Sequence, residues 1–443
     1  MSYVSTRCGQ SLRFVLALAL VIGPAWQAMA GHQLFRQNSV GGVKIDPEGV
    51  LGPRTAKDAS LHRAEVLREM KAVPDELGGK TELRKISLKR LEAVIADALK
   101  NKLGVLPDEV KYLAGLQRIE YVLVFPEDND IVLAGPGEGW KVGESGEVVG
   151  VTTGRPVIQL DDLLVAFRTA DSARRVGISC SIDPSEDGLN RLNALLRSLK
   201  VFDASVPARV EQTLGPQKIT LTGVPTDSHF ARVMTAADYR MKRYAMKLEP
   251  APVRGLVSFV DLTRGPTGNM MPRWWLSCDY DAVARSEDGL AWNLRGAGVK
   301  TETENPDGAK DPIAQRWADL MTENYADLST RDTVFGELRN LMDMCVIAAL
   351  IQKEGLLEKA SCSLPLITDP DSLLMTDSWN PPKSVATQAS ATKKGRNWVI
   401  TASGGVLVDS WQVATDLQQQ DAAVGEVRAA ARRPADREPW WWN

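Results

Sequence analysis

Acids that stand close together are the first residues in this chain with chemistry to offer. Asp161 and Asp162 adjoin, Asp183 and Glu186 are three apart, and Asp279 and Asp281 alternate. Paired carboxylates equip hydrolases that cleave glycosidic bonds, one acid protonating the leaving group while the other serves as base or nucleophile. Each pair also has a structural use. Asp161 and Asp183 stand before Leu163 and Pro184, where helix N-caps are expected. Asp279 and Asp281 lie between two strand-like runs, where alternation turns both to one face. Such a pair could hold calcium, yet the remaining positions of an EF-type loop are missing.

Nucleophilic and metal chemistry find less. There is no G-x-S-x-G turn, and His32, His62 and His229 include no i, i+4 pair of the metalloprotease kind. His32 would follow Gly31 at a processed terminus, where amine, amide and imidazole can hold copper. His62 sits beside Arg63 in a helical run. His229 follows Asp227-Ser228 at a helix start and reads as a neighbour of the cap. The glycine-rich stretch Ala134-Gly135-Pro136-Gly137-Glu138-Gly139-Trp140-Lys141 lacks the Ser or Thr after its lysine and the helix that a P-loop needs, so it reads as a turn between strands. Cys180, Cys278, Cys345 and Cys362 lack C-x-x-C spacing, which leaves no zinc site. Cys345 with Cys362 is the disulfide to consider, although Cys345 shares an apolar helical stripe with Leu338, Leu341 and Met342. No cofactor or metal ion is expected, and no catalytic residue is assigned.

Two further groups stand out. Arg232, Arg240, Lys242, Arg243 and Lys247 flank an apolar stripe and read as the solvated face of a helix. Trp274-Trp275 puts one indole on each side of a strand. Trp440-Trp441-Trp442 ends the chain with three large rings that invite contact with another surface.

The elements that must position these residues follow from periodicity. A hairpin is expected over 41–51 and a helix over 61–72. Ser87 caps a second helix carrying Leu88, Leu91, Val94, Ile95, Ala98 and Leu99 on one face and ended by Gly104, and Pro107 opens a short third. Strands are expected at 119–125, 130–134, 141–142, 147–151, 156–160 and 176–182, with a helix starting at Leu163. A leucine-striped helix follows Pro184. Asp227 then caps a long helix striped by Phe230, Val233, Met234, Ala237, Met241, Tyr244 and Leu248. Beyond Pro250-x-Pro252 come a four-strand meander over 273–302, helices at 312–328 and 333–354, and a hairpin over 397–413. The echo of Gly41-Gly42-Val43-Lys44-Ile45-Asp46 in Gly404-Gly405-Val406-Leu407-Val408-Asp409 raises the hypothesis that both strands join one sheet. The fold class expected is α+β, mixed α/β layers in two or more subdomains. The segments are a leader 1–30, a hairpin 31–56, a mixed domain 57–255, a second unit 256–413 and a polar, disordered tail 414–443.

The first thirty residues are patterned as an export signal. Arg7 and Arg13 precede the apolar run Phe14 to Ile22, Gly23-Pro24 breaks it, and Ala28-Met29-Ala30 supplies a cleavage site. There is no lipobox cysteine after the run and no twin arginine. Cleavage would take the net charge from −3 to −5, a balance that argues against nucleic acid as a partner. No later apolar run approaches the ~20 residues a transmembrane helix needs. A soluble, periplasmic or secreted product is expected.

Long phrases of the chain, among them AGPGEGWKVGESGEVVGVTTGRPVIQLDDLLVAFRTA, ISCSIDPSEDGLNRL and LGPQKITLTGVPTDSHFARVMTAADYRMKRYAM, resemble a family of secreted bacterial proteins found largely in planctomycetes and known only as a domain of unknown function. The resemblance runs over about residues 41–413. It implies export and carries no activity, ligand or catalytic residue. The expectation is therefore an exported protein, a non-enzymatic binding or structural protein of the envelope or exterior whose partner is a protein or envelope polymer. The alternative is an extracytoplasmic hydrolase using a carboxylate pair.

Overall fold

Three helices and one sheet set the architecture. A computed structural model describes residues 41–101, 105–200, 203–263, 271–304, 311–372, 374, 376–390, 401–416 and 418–432. The leader, His32 and Trp440–Trp442 lie outside these residues, as does most of the expected strand 397–401. Eight strands form the larger sheet, neighbour to neighbour Val43–Ile45, Val50–Pro53, Ser384–Val385, Gln217–Thr222, Ile178–Pro184, Ser403–Val408, Arg273–Asp279 and Gly298–Thr303. A six-stranded sheet runs Gln418–Gln420, Val283–Arg285, Ala291–Asn293, Tyr121–Phe125, Asp130–Gly137 and Thr81–Ser87. Helices cover both, so the fold is α+β.

The helices that matter here are α1 (Leu160–Val176), α2 (His229–Ala245) and α3 (Thr333–Lys353). α2 lies on strands Ile178–Pro184 and Ser403–Val408, and α3 packs on α2 and α1. Every residue of α3 from Val334 to Ile351 is buried. A helix that is apolar nearly all round belongs in an interior, and this one is the centre of the core. Charged residues within it, Glu337, Arg339 and Asp343, are therefore buried too. Asp343 is paired there, with Arg118 at 2.9 Å and the Tyr280 hydroxyl at 2.7 Å.

Several expectations are corrected. The run 273–302 is four strands but no meander. Arg273–Asp279 pairs with Gly298–Thr303, while Val283–Arg285 and Ala291–Asn293 pair with each other in the six-stranded sheet. Turn residues predict that strands end without predicting which sheet takes them. Strands on both sides of Pro250 share the larger sheet, so residue 255 separates no layers. Ser403-Gly404-Gly405 is strand and no turn, and Val413 sits in the helix Ser410–Asp416. Gly404 has φ +113°, and a Cβ there would stand 1.8 Å from the Trp274 carbonyl oxygen. The 414–443 segment, expected to be disordered, includes a strand at 418–420 and a helix at Ala422–Ala431 capped by Asp421. That helix covers Leu123 and Phe125 on the outer face of the smaller sheet. Its alanine-rich composition, which reads as bias, is also a strong helix former. Val43 and Val406 do share one sheet, separated by four strands.

The long helix α2 also departs from expectation. Its apolar stripe is buried as read, but Arg232 is fully buried and Lys242 nearly so, which leaves Lys247 as the exposed base. Lys242 Nζ donates to the Ile182 and Gly404 carbonyls and to Asp238, at 3.0, 3.1 and 2.9 Å. It fastens the helix to two strands from beneath. Periodicity could not show this, because a helix buried on both sides has no solvated face to hold its bases. The four cysteines are free.

Candidate functional site

The amino-terminal turns of all three helices meet at one cavity. Ser228 caps α2, its hydroxyl accepting from the Ala231 N–H at 3.1 Å, and this holds His229 as the first residue of the helix. Gln159 stands before α1, so Asp162 falls in its first turn, where the exposed N–H groups favour a negative charge. His229 Nδ1 meets Asp162 Oδ2 at 2.9 Å with both side chains almost fully buried. Burial alone would push the imidazole below its ordinary pKa. The charge and hydrogen bond of Asp162 outweigh it and take the ring up to about 9. The Gln159 amide nitrogen is placed 3.3 Å from Nε2, and because a protonated ring donates from both nitrogens, that charge state requires the amide turned over so that its oxygen accepts.

Trp379 closes one side, its ring 5.7 Å from that of His229. The loop that carries it is tied to the cap of α2. The Trp379 N–H donates to the Asp227 carbonyl at 2.7 Å, and the Ser378 hydroxyl to Asp227 Oδ2 at 2.9 Å. Arg232 stacks on the indole at 4.9 Å. The His229 ring is thus held between a carboxylate and an aromatic wall.

Glu337, one turn into α3, faces the same space. Its side chain is 8% exposed, and Oε2 is buried with no hydrogen-bond partner. Burial pushes its carboxyl up to about 8; His229 opposes this, and Asp162, Glu147 and Asp332 add to it. At neutral pH it is therefore largely a neutral acid beside a protonated His229. The cavity holds about 280 Å3 and is lined by Glu337, His229, Gln159, Trp379, Glu147 and Arg331 among others. Arg240 and Tyr244 frame it through Asp332, which accepts from Arg240 Nε and from the Tyr244 hydroxyl, both at 2.7 Å. Arg54 donates to the Ser145 carbonyl at 2.8 Å on the far wall. Gly42, with φ +77°, lets the backbone pass where a Cβ would lie 2.4 Å from Arg240 Nη1.

Of the residues singled out in the sequence, the cavity gathers His229, His62 and Arg240, with Asp162 held behind the His229 ring. Asp161 points elsewhere, accepting the Asp377 N–H at 3.1 Å, and neither it nor Asp183 is an N-cap. Ser185 caps the helix Glu186–Ser198, and Asp183 lies 3.8 Å from Arg273. Asp279 borders a separate hollow with Lys300, whose amine is paired with Glu302 at 2.6 Å. Gly135 and Gly137 belong to strand Asp130–Gly137, and Trp274 is buried while Trp275 is half-buried on the other face. Glu337 and Trp379 were not read from the sequence. An acid inside an otherwise apolar stretch, Val334-Phe335-Gly336-Glu337-Leu338, was the available signal for Glu337.

Residues 180–259 match a family described as a protein of unknown function (DUF1598). That stretch supplies α2, with His229 and Arg240, while Asp162 and Glu337 come from outside it. No curated protein and no solved structure matches the chain.

Proposed function

We propose that this protein is exported and, once folded, binds a small polar ligand in the cavity around His229 and Glu337. The observation that carries the binding reading is Glu337 Oε2, buried in the cavity wall without a partner. Leaving such an atom unsatisfied costs about 1–3 kcal/mol, a cost that a ligand's donor would offset. The cavity suits a small molecule, since about 280 Å3 is close to the lower end of ligand pockets, which run from about 300 Å3. Export is supported by the leader pattern and by the likeness to a secreted family. No helix among the described residues is long and apolar enough to cross a membrane. The binding partner expected from the sequence, a protein or envelope polymer, narrows here to a small solute or the end of a larger molecule.

Two measurements test this. Fractionation with amino-terminal sequencing should recover a chain beginning at Gly31 outside the cytoplasm. A thermal-shift screen of sugars, polyols, amino acids and small acids should find stabilisers; a ligand at 100 times its Kd adds about 2.7 kcal/mol. Failure of every compound to shift the wild-type chain would refute the binding reading.

The hydrolytic alternative has one observation in its favour. Glu337 is held protonated beside the Asp162–His229 pair, and a carboxylic acid kept neutral in a cavity is a group that can give a proton to a leaving group. Consumption of a bound glycoside, lost in Glu337→Gln, would select it over simple binding.

A further inference from the structure

We propose that the cavity takes a small zwitterion of the amino-acid type, its protonated nitrogen seated against Glu337 and its acid group against Arg331 and the start of α3. This rests on the binding reading above and names the ligand class.

The nitrogen end follows from two acceptors. Glu337 Oε2 and Glu147 Oε2 are both buried, both without hydrogen-bond partners, and both residues line the cavity. A hydroxyl has one proton to give and cannot satisfy both, whereas an ammonium has three. The charges that act most on Glu337 favour a cation: the carboxyl groups of Asp162 from α1 and of Glu147 and Asp332 from the flanking loops, opposed by His229 from α2. Arg54, Arg240 and Arg331 also line the cavity. Arg240 is taken up by Asp332 and Glu249, and Arg54 stands next to Glu147.

The acid end follows from the head of α3. This 21-residue helix has no side chain capping its first N–H groups; Asp332 Oδ2 accepts from Arg240 and Tyr244 instead, and of those N–H groups that of Phe335 turns back to the Asp332 carbonyl at 3.1 Å. Thr333 lines the cavity, and beside it Arg331 is exposed with no ion pair among the described residues. Uncapped N–H groups and a free guanidinium together suit a carboxylate. Thr333 and Glu337 are one turn apart, about 6 Å along the axis. The two ends are then spaced for one small molecule.

A consequence distinguishes this ligand from any other. A cation bound to Glu337 must displace the proton that burial holds there, so binding near pH 7 releases a proton, most of one per ligand. The experiment is calorimetric titration of the full-length mature chain with the common amino acids and glycine-containing dipeptides, in buffers of different ionisation enthalpy. Propionate, ethylamine, glycerol and glucose serve as comparators. The expected result is that at least one zwitterion binds, at least tenfold more tightly than propionate or ethylamine, with proton release. Glu337→Gln should weaken it about tenfold or more and abolish the release. Arg331→Gln, at an exposed position that leaves the fold intact, should weaken binding severalfold and keep the release. Binding of glycerol or glucose in preference to every zwitterion would overturn this inference and leave the small-ligand reading standing. Zwitterion binding without proton release, and indifferent to Glu337→Gln, would overturn it too. If no probe binds and the broader screen is also silent, both fail.

Discussion

Replacing Asp162 by Asn should change how stability depends on pH, in a direction and window the structure specifies. In the folded chain the imidazole of His229 is raised from 6.5 to about 9, because the adjacent carboxylate outweighs the cost of burying the charge. The folded state therefore holds this proton more tightly than the unfolded chain does. A group raised in this way contributes its stability in full below about pH 6.5 and loses it as pH rises through about 9. The two values differ by enough to make that contribution on the order of 3 kcal/mol. Asn keeps the shape and one acceptor but removes the charge, so the buried ring reverts to its neutral form. Urea unfolding of both proteins at half-unit intervals from pH 6 to pH 10 gives the comparison. The stability advantage of the wild type over Asp162→Asn should shrink by on the order of 3 kcal/mol across that range. Glu337 titrates in both proteins and cancels to first order in the difference. An advantage that stays constant from pH 6 to pH 10 would show that His229 is neutral in the fold, and the charge-paired account of the site would fall.

Other outcomes follow from the same structure. Glu337→Leu should stabilise the chain while abolishing ligand binding. The gain should grow as pH rises from 4.5 to 8, where the native acid is forced to resist ionisation, and chemical denaturation at pH 5 and pH 8.5 reads it. Gly404→Ala should cost more than about 4 kcal/mol or prevent folding, seen as lost soluble yield, because its Cβ would meet the Trp274 carbonyl oxygen at 1.8 Å in a backbone with φ +113°. Glu138→Gln should destabilise the chain at pH 7 and the difference from wild type should shrink toward pH 2, read by urea unfolding at both values. Burial pushes that carboxyl up, but donors from Thr153, Thr152 and Gln117 take it down to about 2, so its stabilisation is present above pH 4.5 and lost as pH falls toward 2. Ellman titration should count Cys180, Cys278, Cys345 and Cys362 as free thiols after unfolding. In the native chain they should react slowly, since burial pushes all four thiols up.

Local signals were legible in the sequence. Ser87 and its stripe place the start of the helix Leu88–Lys100 to the residue, though the helix stops short of the Gly104 expected to end it, and the stripes of α2 and α3 place those helices correctly. Caps and periodicity are properties of neighbours in the chain, so a sequence displays them. Pairing over long distances is different. Nothing near residue 403 announces that its strand will sit between Ile178–Pro184 and Arg273–Asp279. The site suffered for the same reason. Asp162 and His229 were each visible, and each had an adequate local explanation as part of a helix start. Their meeting is a contact over 67 positions, produced by the packing of α1 beside α2. Glu337 was hidden because a helix read by its apolar stripe draws the eye away from the acid within it.

The strand Ser403–Val408 pairs antiparallel with Ile178–Pro184 on one side and parallel with Arg273–Asp279 on the other. During synthesis those two neighbours emerge long before it and must wait with open edges, which are prone to pairing with other chains. The larger sheet cannot close until residue 408 has followed them, and a chain cut before Ser403 would leave it split. Under the export proposed above, in which the chain would cross a membrane unfolded, that delay would have a use, because the sheet locks only when this strand arrives.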